Sequence, residues 1–205
     1  VSLPERPLGG WATLYADPPW RFMNYSAKGE AKNPVAHYPC MTLAELKAMP
    51  VAQLAGANSA IFMWATFPML PEALELMAAW GFEYKTGGAW AKQSSTGRKL
   101  AFGPGYIFRG AAEILLVGTR GHPAWLSRSE RNVWLAPIRE HSRKPDCVVE
   151  MIERLAAAPR LELFARQKRS GWDSWGDEVE KFNEAQKADV DQENPPHQDR
   201  RRRGV

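Results

Sequence analysis

Trp11-Ala12-Thr13-Leu14-Tyr15-Ala16-Asp17-Pro18-Pro19-Trp20 is the stretch on which the fold turns. Six largely apolar, strand-forming residues run into an acid, two prolines and a tryptophan, so a strand is predicted over Trp11–Ala16 with Asp17-Pro18-Pro19-Trp20 at its carboxyl end. The prolines stiffen that turn and release carbonyls that a strand ladder would otherwise use. In open α/β sheets ligands bind beyond the carboxyl ends of strands, which makes this the first place to look for chemistry. A merely stiff turn is the competing explanation. At an average proline usage of about 5%, however, such a tetrapeptide is a rare accident in 205 residues.

Working outward, short apolar runs alternate with helical patterns from residue 11 to residue 182. Strands are expected at 59–64, 84–92, 112–118, 133–136 and 160–165, and helices at 42–49, 68–80 and 144–157. Thr42 with Glu45 three residues on forms a capping box, and Leu70, Leu74 and Met77 make one apolar stripe. Alternation of this kind predicts an α/β domain with a mostly parallel twisted sheet and helices on both faces. Between Gly87 and Gly110, six glycines (Gly87, Gly88, Gly97, Gly103, Gly105, Gly110) share space with Arg98, Lys99 and Arg109 and with Tyr106 and Phe108. That segment reads as a mobile loop.

Composition bounds the rest. With 44% apolar and 11% aromatic residues the chain can bury a core, and its length suits one domain over residues 1–182. Residues 183–205 lack aromatics and end in Arg200-Arg201-Arg202-Arg203, so a disordered charged tail is expected. Its charges cancel, and the net +4 belongs to the folded body, which suits an anionic partner. The apolar run 60–71 is too short, and too interrupted by Thr66 and Pro68, to span a bilayer. A soluble cytoplasmic protein without membrane contact is expected. Cys40 and Cys147 have no metal-ligand spacing, so no metal is expected.

The chemistry that suits an acid-Pro-Pro-aromatic strand end is alkylation of an aromatic amine. Such a nitrogen is a poor nucleophile because its lone pair is delocalised into the ring. Two acceptors, the Asp17 carboxylate and the Pro18 carbonyl, can bind the amino hydrogens and localise that pair toward a methyl donor, which is preorganised electrostatic catalysis. Trp20 offers an aromatic plate for the base that carries the amine.

A wider set of motifs then carries a resemblance. Tyr15-Ala16-Asp17-Pro18-Pro19-Trp20, Tyr38-Pro39-Cys40-Met41-Thr42, Ile61-Phe62-Met63-Trp64, Trp80-Gly81-Phe82, Trp90-Ala91-Lys92, Glu113-Ile114-Leu115-Leu116-Val117-Gly118, His141-Ser142-Arg143-Lys144-Pro145-Asp146, Leu161-Glu162-Leu163-Phe164-Ala165-Arg166 and Gly171-Trp172-Asp173-Ser174-Trp175-Gly176 follow one another in order. From about residue 11 to 178 the chain resembles the MT-A70 family of S-adenosylmethionine-dependent N6-adenine methyltransferases, in its bacterial and phage form. The resemblance implies a Rossmann-like methyltransferase fold with permuted motif order, the catalytic Asp17-Pro18-Pro19-Trp20 preceding the cofactor motif. It implies adenine methylation in DNA, with RNA as the alternative substrate and a non-catalytic, nucleic-acid-binding partner subunit as the alternative role. A bacterial or phage-infected cytoplasm is implied, as a single chain, a homodimer or a paired subunit.

Site roles follow from the same resemblance. Asp17, Pro18, Pro19 and Trp20 are the expected catalytic residues. S-adenosyl-L-methionine is expected on Asp17, Lys144, Glu162, Phe164, Arg166, Asp177 and Glu178, with Lys144 opening a helix and pairing the methionine carboxylate. Trp20, Tyr38, Trp90, Lys92 and Glu113 are the expected contacts of the target base, with Trp64 nearby, and His141 and Ser142 stand beside Lys144 as either ligand groups or ordinary turn residues. Departures lie at the adenosine end: Ala165 stands where many amino-methyltransferases have a glycine-rich turn, Asp177 where relatives often have Asn, and the acidic cofactor-contacting segment that some relatives place ahead of the catalytic strand is not expected in the ten residues before Trp11. The basic residues Lys28, Lys32, Arg98, Lys99, Arg109, Arg120, Arg128 and Arg131 report phosphate affinity and leave the target sequence open.

Overall fold

The computed structural model describes residues 3–20, 40–105, 107–140 and 142–182. Tyr38, His141, Lys28, Lys32 and the tail 183–205 lie outside the described residues. In chain order the elements are β1 (Trp11–Ala16), α1 (Leu43–Ala48), α2 (Val51–Leu54), β2 (Ala55–Ala65), α3 (Leu70–Ala79), β3 (Glu83–Gln93), β4 (Ala112–Arg120), β5 (Val133–Pro137), α4 (Asp146–Leu155), β6 (Arg160–Leu163) and β7 (Asp173–Trp175). They build one seven-stranded sheet in the order β5-β3-β4-β2-β1-β6-β7. Only β4 runs against the others, because it returns directly from β3 as an antiparallel partner and pairs β2 antiparallel as well. The Rossmann-like expectation is met, with that one reversal.

β1 lies between parallel partners β2 and β6, and its alternation divides the side chains between two cores. Leu14 and Ala16 join Ile61, Met63, Leu161 and Leu163 under α1–α3, whereas Tyr15 joins Phe62, Trp64 and Leu115 under α4. Helices therefore cover both faces, as the alternating pattern demands. Trp11, Trp64 and Trp80 are fully buried, and each indole N–H is satisfied: by Asp173 Oδ2 (2.8 Å), by the Tyr15 hydroxyl (2.6 Å) and by the Leu46 carbonyl (2.9 Å).

The local signals place most elements and fail at their ends. The Thr42–Glu45 capping box is present at the start of α1. Residues 67–69 form a short 3-10 turn before α3, whose buried stripe is Ala73, Leu76 and Met77, with Leu70 and Leu74 packed at its flank. Gly87 and Gly88 belong to β3 rather than to a loop. Strand β6 stops at Leu163, and Phe164 turns out of it with φ of 60°. Lys144 does not open α4: Pro145 is its N-cap in extended geometry, and a residue before proline is biased away from helical backbone. Among the described residues no helix is long and apolar enough to cross a membrane, and no cluster of ligands could hold a metal.

Candidate active site

Asp17 follows β1 directly and, two residues beyond Tyr15, emerges on the α4 side of the sheet. The turn after it is tied down. The Trp20 N–H donates to the Pro18 carbonyl (2.8 Å), and the Met41 N–H donates to the Pro19 carbonyl (2.9 Å). The Pro18 carbonyl, which has two lone pairs, thus uses one of them within the turn. Trp20 itself is a core residue: it is 5% exposed, packs among the α1–α3 residues, and donates its indole N–H to the Trp64 carbonyl at 3.3 Å. Its ring braces the turn from beneath instead of standing free as a plate.

Three charged side chains link Asp17 to strand β3 along the α4 face of the sheet. Lys144 Nζ lies 2.9 Å from Asp17 Oδ2 and 3.2 Å from Glu113 Oε2, and Glu113 Oε1 accepts from Lys92 Nζ at 2.6 Å. The lysines rest on aromatic rings, Lys144 5.7 Å from Trp64 and Lys92 5.0 Å from Trp90, and the two indoles meet edge to face. Each partner comes from a different element: Lys92 from β3, Glu113 from the start of β4, Lys144 from the connection before α4. Burial alone would raise the Glu113 carboxyl, but Lys144 and Lys92 outweigh it and hold the group down to about 2. Burial would likewise favour neutral Lys144, yet Asp17 and Glu113 push its ammonium above its ordinary value. Glu113 and Lys144 therefore face each other as a carboxylate and an ammonium at neutral pH.

A second cluster sits beside the first. Glu162 pairs in register with Tyr15 across β1 and β6. Its Oε2 is buried and makes no hydrogen bond, with Arg169 Nε 3.3 Å away and misaligned. Burial raises this carboxyl to about 7, Arg169 opposing and Asp17 and Asp146 adding to the rise. Tyr15 is also raised, first by burial and then by Glu162, against the Trp64 hydrogen bond. Arg169 continues to Asp146 at 3.0 Å. Phe164, in left-handed backbone, packs edge to face on Trp175, and Arg166 Nε lies 3.4 Å from Glu178. A bulky residue at positive φ is strained, and such strain gathers at ligand sites.

Tyr15, Asp17, Lys144, Glu162, Phe164 and Arg166 line one cleft whose open volume is about 30 Å³, the share of a single water. The structure thus brings Asp17, Lys144, Glu162, Phe164 and Arg166 together, with Ser142 on the rim at φ of 61°. Trp90, Lys92 and Glu113 stand on the other side of Lys144. Asp177 is exposed and is not among the residues that line the cleft, and Glu178 reaches it through Arg166. Tyr15 and Arg169 are additional members that sequence reading passes over. The first had a signal, since residues two apart on a strand share a face; the second stands on a turn that only the fold brings back to β6. The donor set combines a buried ammonium, carboxylates, a hydrogen-bond-seeking acceptor and an aromatic ring, and so matches a zwitterionic ligand that also carries hydroxyl groups.

A central strand ending in an acid and two prolines, beside such a cleft in a mostly parallel seven-stranded sheet, is consistent with the Rossmann-like methyltransferase fold. The family model described as MT-A70 matches residues 11–178, and the chain belongs to that family. It is 32% identical over 195 residues to the type II methyltransferase M.MunI of a Mycoplasma species, an alignment covering 86% of this chain and 81% of that protein. It is 30% identical over 176 residues to a probable N(6)-adenosine-methyltransferase MT-A70-like protein of rice, Oryza sativa, covering 84% of this chain and 23% of that one. With the human N(6)-adenosine-methyltransferase catalytic subunit METTL3 it shares 28% identity over 178 residues, again 84% of this chain but 29% of the relative. The chain therefore spans less than a third of the length of the plant and human proteins.

Proposed function

We propose that this chain transfers the methyl group of S-adenosylmethionine to the 6-amino group of adenine in DNA. The observation that carries the reading is the Asp17 carboxylate at the end of the central strand, 2.9 Å from a buried lysine and beside a cleft with the donor set of that methyl donor. The cofactor supplies an electrophilic methyl group on a sulfonium. Lys144 holds its carboxylate, Asp17 and the acids nearby its ammonium, Glu162 Oε2 accepts from a ribose hydroxyl, and Phe164 and Arg166 flank the nucleoside, with Glu178 and Asp177 outside them. Glu162 is the best-founded of these assignments, because a buried acceptor without a hydrogen bond gains most from a hydroxyl donor.

Asp17 does the chemistry on the other side. Its second carboxylate oxygen and the remaining lone pair of the Pro18 carbonyl accept from the adenine amino group, and the nitrogen lone pair then points away from the ring toward the methyl carbon. The N–C bond forms as the S–C bond breaks, and one amino proton leaves to water. Trp20 keeps the turn in place from the core, which makes it a positioning residue. Lys92 and Glu113, together with Tyr38, surround the base in this reading, whereas Trp90 is a core residue, 3% exposed with its indole N–H on the Ala136 carbonyl, and backs Lys92 instead of touching the base.

Similarity across most of the type II methyltransferase M.MunI supports DNA as the substrate, and the N(6)-adenosine names of the other relatives support the adenine amine. The test is transfer of labelled methyl from S-adenosylmethionine to unmethylated double-stranded DNA, single-stranded DNA and RNA in parallel, with nucleoside analysis. N6-methyladenine in DNA is the expected product. Label confined to RNA replaces the substrate, and no label anywhere from protein that binds the cofactor assigns a partner-subunit role.

A further inference from the structure

The connection from β3 to β4, residues 94–111, carries the most exposed apolar surface near the site. Phe102, Ile107 and Phe108 are 83%, 78% and 85% exposed, in a segment that also carries Arg98, Lys99 and Arg109 and contains no acidic residue. Exposed aromatics of this size mark contact surfaces, and three cations in a segment with no acid of its own favour a polyanion.

The segment is built rather than slack. The Ser94 N–H donates to the Lys99 carbonyl at 2.8 Å, Ala101 to Lys92 at 2.7 Å, and Gly103 to Gly110 at 2.9 Å. A Cβ on Gly103 would stand 2.7 Å from the Gly110 carbonyl oxygen, and one on Gly105 would collide with the Phe108 carbonyl. Glycine is therefore what lets the chain fold back and hold its aromatic rings outward. Arg109 lies 5.9 Å from the Phe102 ring and fixes a cation beside it. The roots of the segment, Lys92 and Glu113, are paired at 2.6 Å, and Glu113 continues through Lys144 to Asp17. The crown thus rises directly from the charged chain that ends on the catalytic acid.

An amino group inside a duplex is out of reach of such an acid, so a base must leave the stack, and the gap it leaves is stabilised by an inserted apolar side chain. We propose that this crown parts double-stranded DNA: Phe102 and Phe108 enter the base stack beside the target adenine while Arg98, Lys99 and Arg109 hold the flanking phosphates. The inference rests on the reading of the chain as an adenine methyltransferase and adds to it the element that delivers the base.

The experiment uses the full chain and a Phe102→Ala/Phe108→Ala double variant on unmethylated duplex DNA and on the same DNA made single-stranded. The expected result is a loss of about tenfold or more in methyl transfer to the duplex, with single-stranded transfer within about twofold of wild type. A binding readout accompanies it: duplex in which 2-aminopurine replaces some adenines brightens on adding the wild-type chain and not on adding the variant. An Arg98→Ala/Lys99→Ala variant lowers the slope of log affinity against log salt by about 0.9 for each phosphate that is no longer neutralised. An unchanged duplex-to-single-strand ratio with unchanged brightening overturns the proposal. So does a variant whose only change, by sedimentation, is the disappearance of a dimer, because the crown is then a protein interface. If the wild-type chain brightens the duplex but methylates no nucleic acid, the catalytic reading fails and the crown stands; absence of brightening with the wild-type chain removes the crown.

Discussion

The two halves of the sheet are built to different standards. In β2, β1 and β6 the inward residues Leu14, Ile61, Met63, Leu161 and Leu163 are fully buried, with α1–α3 on one face and α4 on the other. In β3 and β5, Val133 and Leu135 remain 55% and 66% exposed, and β3 is exposed over its first four residues. The covered half ends in Asp17, Glu162 and Phe164, groups whose use depends on a fixed position in a poorly solvated setting. The open half ends in the aromatic and basic crown, where access matters more than burial. Lys144 and Glu113 join the two. On the proposed reading, the division places chemistry and contact on different strands of one sheet, so substitutions should separate them.

The largest expected effect is at Asp17. An Asp17→Ala variant should lose at least about 100-fold in methyl transfer with cofactor binding retained, measured by label incorporation and calorimetry on the same protein. Substantial activity in that variant would remove Asp17 from the mechanism. Next comes Lys144→Ala, which takes the cation from a site it shares with two acids and should weaken S-adenosylmethionine binding by at least about 30-fold in calorimetry. Unchanged affinity would mean that the carboxylate of the methyl donor lies elsewhere.

How much of this is legible in the sequence depends on how local each signal is. Strand β1 and its acid are readable because six largely apolar residues, the acid and two prolines are contiguous. Six strands and three helices carry a pattern of their own, whereas α2 and β7, four and three residues long, have no periodicity to detect. The start of α4 is legible too, two residues beyond Lys144, since a residue before proline is biased toward extended backbone and Pro145 is the N-cap. Trp20 as plate or core is undecidable from type alone, because tryptophan serves both. The pairing of Lys144 with both Asp17 and Glu113 joins residues 127 and 31 positions apart, and only the topology reveals it.

The link between the halves can be cut. Glu113→Gln removes the acid between two lysines and should cost roughly 3 kcal/mol in denaturant unfolding at neutral pH, since it leaves Lys144 and Lys92 short of a buried partner. Because the carboxyl is held near 2, below its ordinary value of 4.5, the wild-type advantage is present above pH 4.5 and disappears as pH falls through about 2. An unaltered midpoint at pH 7 would show that the charge chain is solvated.

The smallest effect, and one confined to the covered half, is at Glu162. Its carboxyl is raised from 4.5 to about 7, so its contribution to stability is full below pH 4.5 and is lost as pH rises through 7. Glu162→Gln should therefore flatten the pH dependence of unfolding between 4.5 and 7, gaining on the order of 1 kcal/mol over wild type at pH 8. It should also weaken cofactor binding, while the duplex-to-single-strand ratio set by the crown stays the same. A ratio that moves with Glu162 would erase the separation of the halves.

The most direct measurement sets wild type and Asp17→Asn side by side on the same DNA with methyl-labelled S-adenosylmethionine, followed by digestion to nucleosides. N6-methyladenine from the wild-type chain and none from a variant that still binds the cofactor is the predicted result. Label on cytosine, or equal N6-methyladenine from both proteins, would contradict the assignment of Asp17 as the acceptor that readies adenine for methyl transfer.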